Sequence, residues 1–157
     1  MMASFRAPED PMAQKVRDVM HTGAETVRPD DTLKHAASIM QAVDVGPLPV
    51  CDGERIVGIV TDRDITVRAV AAGRDPTTTP VRDVMTSEIV YVGADQEVDY
   101  AIELMQQHEI RRLPVIEKGR LVGMVALADL ARRADEQRQS AALEAVSQVK
   151  QTETDVP

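Results

Sequence analysis

Aromatic side chains are nearly missing: Phe, Tyr and Trp make up 2% of the 157 residues, and there is no Trp. A surface that holds single-stranded nucleic acid by stacking needs such rings. Positive charge is also short. Lys and Arg number 18 against 26 acids, so the formal net charge is −8 and the pI about 4.9. That leaves no general basic face for a phosphate backbone. Cysteine is limited to Cys51, which excludes an intramolecular disulfide and fits a reducing compartment. It ends the apolar run Leu48-Pro-Val-Cys51 and reads as a core residue. No apolar run is long enough to span a bilayer, and residues 1–10 carry no apolar segment of signal-peptide length. The expected location is the cytoplasm, with neither membrane nor nucleic acid as partner.

What is present is aliphatic and written twice. Apolar residues make up 43% of the chain, enough for a core of Val, Ile, Leu, Met and Ala in one domain or two small repeats. Val16-Arg-Asp-Val-Met20 recurs unchanged as Val81-Arg-Asp-Val-Met85, at an offset of 65. The register then holds without a gap. Asp30 faces Asp95, Ala36 faces Ala101, Met40 faces Met105, and Leu48-Pro-Val50 faces Leu113-Pro-Val115. A repeat sustained in this way is a tandem duplication. The expected organisation is a loose arm over 1–12, a first repeat over 13–73, a linker over 74–80 and a second repeat over 81–134. A C-terminal helix extension with a disordered tail follows over 135–157.

Each repeat predicts strand, helix, strand, strand, helix. A short extended segment around Thr26-Val27, and again around Ile89 to Val92, precedes an acid. Asp30, Asp31 and Thr32 are candidate caps for a helix whose apolar face is Leu33, Ala36, Met40 and Val43. Two apolar strands follow, split by a turn at Asp52-Gly53 in one copy and Lys118-Gly119 in the other. A second helix begins near Asp64, and its counterpart near Asp129. Gly73, Pro76 and Pro80 mark an exposed loop between the copies.

Asp-x-Met early, Leu-Pro-Val in the middle and Gly-φ-φ-Thr-x-x-Asp-φ at the end (φ apolar) form an ordered set that resembles the CBS domain. The resemblance covers about residues 14–134 and both copies. It implies an α/β (α+β) fold in which two β-α-β-β-α repeats pack sheet to sheet as one pseudo-two-fold module. It also implies homodimers and adenosine-type ligands, such as AMP, ADP, ATP or a related adenosyl compound, held between the repeats. No cofactor is required. Within the family, the chain is similar to stand-alone bacterial pairs of the hypoxic-response type. Any regulated protein target is expected to act in trans.

The candidate ligand residues are Thr61, Asp64, Asp129, Arg111 and Arg112, with Thr26 and Val27 from the first extended segment. A carboxylate at a helix start has two acceptor oxygens for the hydroxyls of a ribose. A threonine three residues earlier adds a hydroxyl, and free N–H groups at the helix end favour a phosphate. Thr61 and Asp64 meet that description; the second copy has Ala126 where the threonine stands. Arg111-Arg112 precede Leu113-Pro-Val115 and are suited to a phosphate, whereas the first copy has Gly46-Pro47 there. The same aspartates also serve as helix caps with no ligand at all. His21, His35 and His108 lack metal-ligand spacing and read as surface residues.

One enzymatic reading competes. Asp62-Arg-Asp-Ile-Thr66 after an apolar strand resembles the nucleophile motif of haloacid-dehalogenase-type phosphatases. The second copy keeps Asp129, opposite Asp64, but has Leu127 opposite Asp62. A nucleophile at Asp62 therefore has no support from the duplication. The expected function is a non-catalytic sensor that binds an adenosine-type nucleotide between its repeats. The alternative is a ligand-free dimer acting in stress response or protein interaction.

Overall fold

A computed structural model describes residues 13–154, and their side chains as far as Gln148. The expected arm over 1–12 and the last residues of the expected tail, 155–157, lie outside the described residues.

The duplicated plan appears as two equivalent sets of elements. In the first, helix α1 (Leu33–Val43) leads to strands β1 (Leu48–Asp52) and β2 (Arg55–Val60), then to helix α2. Helix α2 is one helical turn, Asp62–Asp64, continued as a π-helical stretch over Ile65–Val70. In the second, α3 (Val98–His108), β3 (Arg112–Glu117), β4 (Arg120–Ala126) and α4 (Leu127–Thr154) follow in the same order. The four strands form one antiparallel sheet, ordered β1-β2-β4-β3. The two hairpins meet at a single register pair, Arg55 opposite Arg120.

The N-terminus of α1 shows why a helix starts there. Thr32 Oγ1 accepts from the His35 N–H at 3.2 Å. The linker supplies two further acceptors, Thr79 O for the Leu33 N–H and Pro76 O for the Lys34 N–H, each at 3.0 Å. These bonds satisfy donors that a helix start otherwise leaves orphaned. The linker is thus exposed over residues 71–78 but buried at Thr79. Helices α1 and α3 end alike, on Asp44 and Glu109 in the left-handed region with φ of 53° and 54°.

The packing units are not the sequence repeats. Val16, from the start of the first repeat, is fully buried in the core of the second, among Val92, Ala101, Leu113 and Leu130. Val81 and Val84, from the second repeat, are buried in the core of the first, with Leu33, Leu48 and Val60. Backbone bonds fix this exchange symmetrically. The Val16 N–H donates to Gln96 O at 2.9 Å, and the Val81 N–H to Asp31 O at 2.8 Å. His21 pairs with Met124 in both directions, and Thr86 with Ile59 likewise, at 2.8–2.9 Å. Each repeat therefore depends on the other to complete its apolar core, and neither core is whole alone.

Candidate functional site

The exchange carries the Thr86–Val90 stretch of the second repeat across β2 of the first. A cleft of about 550 Å³ opens there. Thr61 and Asp64 line it from the first repeat, Arg111 and Arg112 from the second. Ile59, Val90, Ile110 and Met124 give it apolar walls, and Thr86, Glu88 and Glu109 add polar groups.

Thr61 is the N-cap of α2 because its backbone is extended while the next residue is helical. Its Oγ1 accepts from the Asp64 N–H at 3.0 Å, and Asp64 Oδ2 accepts from the Thr61 N–H at 3.0 Å. This reciprocal pair is a capping box. It holds both side chains in place at the cleft wall. It leaves the Thr61 hydroxyl proton to donate and Asp64 Oδ1 to accept. The nearest cation to Oδ1 is Arg68 Nε, at 3.9 Å.

On the opposite wall, Glu109 turns the chain out of α3 and Arg112 opens β3. Arg111 is anchored through its backbone, because its carbonyl accepts the Leu127 N–H that starts α4, at 2.8 Å. Both arginines are exposed, and neither side chain forms an ion pair among the described residues. Two unpaired guanidiniums facing a hydroxyl and a carboxylate can grip an anionic group at one end of a polyol.

Three expected residues stand elsewhere. Asp129 is not in this cleft. Its Oδ2 is 2.9 Å from His21 Nε2, and its Oδ1 accepts from Arg132 at 3.1 Å. Thr26 lines a separate cavity of about 370 Å³, near Cys51 and Arg120. Val27 is buried in the core of the first repeat, its N–H bonded to Pro49 O and its carbonyl to the Cys51 N–H. Thr86, Glu88 and Val90 escaped the sequence reading because they reach the cleft only through the exchange. The offset-65 repeat records which residues correspond, not which copy they pack against. Asp62 is exposed and outside the cleft, its Oδ1 accepting from the Arg63 N–H at 3.0 Å. Burial pushes the Cys51 thiol above its ordinary range.

The family model for the CBS domain matches residues 16–70 and 81–136. The chain belongs to the CBS-domain family. A CBS domain-containing protein of Bacillus subtilis, YhcV, is 46% identical over 116 residues, covering 74% of this chain and 82% of that protein. Hypoxic response protein 1 of Mycobacterium tuberculosis is 41% identical over 121 residues, covering 76% and 85%. A crystal structure of Hypoxic Response Protein I with two coordinated zinc ions superposes with a TM-score of 0.70 at 40% identity, covering 76% of this chain and 98% of that one. The CBS domain pair of protein MJ0100, in complex with 5′-methylthioadenosine and S-adenosyl-L-methionine, superposes with a TM-score of 0.68 at 25% identity, covering 80% and 98%. The architecture is thus that of a CBS pair, a regulatory module. No group of three or more His, Cys, Asp or Glu among the described residues could hold a metal ion. No helix among them is long and apolar enough to cross a membrane.

Proposed function

We propose that this CBS pair is a non-catalytic sensor that binds one adenosine-type nucleotide in the cleft between its repeats. The observation that carries this reading is the placement of Thr61 and Asp64 on one wall and the unpaired Arg111 and Arg112 on the other. Asp64 Oδ1 and the Thr61 hydroxyl take the ribose, and the guanidiniums take the phosphate. Ile59, Val90, Ile110 and Met124 offer the base an apolar bed. The adenosyl ligands of the MJ0100 pair support the ligand class. Because each core is completed by the other repeat, a ligand that pulls the walls together biases the packing of both. That bias is passed to a protein target in trans from a cytoplasmic homodimer. The exposed Val67 and Val70 of α2 suit such self-association.

Calorimetry against AMP, ADP, ATP, NAD and S-adenosylmethionine tests the reading. Saturable binding of at least one, weakened in Asp64→Ala, is expected. No binding at millimolar concentration refutes it. The second reading is a ligand-free stress or interaction module. The capping box favours it, since Thr61 and Asp64 already satisfy each other without a ligand.

A further inference from the structure

We propose that His21 closes the equivalent cleft around Asp129, leaving one working site per chain; this rests on the nucleotide reading above. At the offset of 65, Asp129 corresponds to Asp64, Ala126 to Thr61 and His21 to Thr86. The two sets of positions behave differently. Thr86 forms no hydrogen bond to Asp64, whose Oδ1 has only the looser ion pair with Arg68 Nε at 3.9 Å. His21 Nε2 lies 2.9 Å from Asp129 Oδ2, and Arg132 holds Oδ1 at 3.1 Å. Both oxygens that a ribose would use are taken by the chain's own side chains.

The cause is the missing hydroxyl at 126. With Thr61, the aspartate is committed to a capping box. Ala126 has no hydroxyl to accept from the Asp129 N–H, the counterpart of the Asp64 N–H that Thr61 caps. The Asp129 carboxylate has His21 and Arg132 as its side-chain partners. His21 is delivered to it by the sheet, because its backbone pairs with Met124 in both directions. The ring, 67% exposed, sits on the solvent side of a carboxylate only 22% exposed. Asp18, Arg133 and Glu136 surround the pair. At the positions that correspond to Arg111 and Arg112 the chain has Gly46 and Pro47. His21 is therefore a lid fixed over the Asp129 carboxylate.

The test is the number of AMP molecules bound per chain, measured by calorimetry on the wild type and on His21→Thr/Ala126→Thr. Circular dichroism confirms that each is folded. One AMP on the wild type and a second, weaker one on the variant is the expected result. Two on the wild type, or one on both, overturns the lid and leaves the nucleotide reading standing. None on the wild type overturns that reading; binding gained by the variant then still supports the lid, and none on either refutes both. His21→Ala alone, which adds no hydroxyl, serves if the double variant does not fold.

Discussion

Met85 lies against Gly58 so closely that a Cβ on the glycine would stand 2.8 Å from the methionine sulfur. The second copy repeats the contact, with Met20 Sδ 3.0 Å from a Cβ placed on Gly123. Each methionine belongs to the exchanged segment and each glycine to the hairpin that receives it. The paired Met and Gly of the repeats are thus the docking point of the exchange.

Alanine at these glycines tests that point. Gly58→Ala and Gly123→Ala each destabilise by about 1–3 kcal/mol, as overpacking does, measured by urea unfolding. Met85→Ala relieves part of the cost at Gly58, where the sulfur is the nearest atom. Met20→Ala relieves less at Gly123, where the nearest atom is the backbone oxygen of His21 at 2.8 Å. Equal rescue at both sites contradicts this packing.

Much of the architecture was legible because the signals were local. Thr32 and Asp-Gly punctuation placed a helix start and a hairpin, and the period of Leu33, Ala36 and Met40 gave the buried face of α1, although Val43, read with them, is exposed at its end. The first turn is centred one residue later than read, on Gly53-Glu54, since Asp52 still pairs with Arg55. Gly at the first central position, with φ of 64°, fits a type II′ turn, whereas Lys118 and Gly119 both have positive φ, as type I′ requires. Thr61, Asp64, Arg111 and Arg112 were legible as chemistry, and they share one cleft. The placing of Asp129 was not, because the partner that holds it lies 108 positions away. The burial of Val27 was not legible either, because it follows from the parallel bridge to Val50.

Thr61→Ala has two separable effects. Losing the cap costs about 1 kcal/mol of stability, read by chemical unfolding. It also weakens AMP binding, since the hydroxyl that holds Asp64 in place is gone. Thr61→Ser keeps the cap and restores both. A serine that restores stability but not binding refutes the ribose role.

Lys118 occupies the left-handed region with φ of 52°, where a long side chain is disfavoured. Lys118→Asn creates an Asn-Gly type I′ turn and raises stability by a few tenths to about 1 kcal/mol. Thermal unfolding checks it. A loss of stability contradicts the turn assignment.

Burial makes the neutral thiol the favoured form of Cys51 in the fold, since its pKa is raised by desolvation. The sign follows: the contribution is intact below the unfolded thiol's pKa and lost as pH rises through the folded value. Alkylation by iodoacetamide at pH 8 is therefore slow in the native protein and fast in denaturant. Equal rates contradict the buried placement.

Arg111→Ala and Arg112→Ala each remove a charge-assisted contact of about 1.5–3 kcal/mol, a loss of about 10- to 140-fold in AMP affinity. Adenosine, lacking the phosphate, loses little. Calorimetry with both ligands separates the cases, and an equal loss for adenosine contradicts the phosphate role.

The most direct measurement is the backbone amide spectrum of the uniformly 15N-labelled protein titrated with AMP. The account expects saturable shifts concentrated at Thr61, Asp64, Thr86, Arg111 and Arg112, with His21 and Asp129 unmoved. Shifts centred on His21 and Asp129, or none at millimolar AMP, would contradict it.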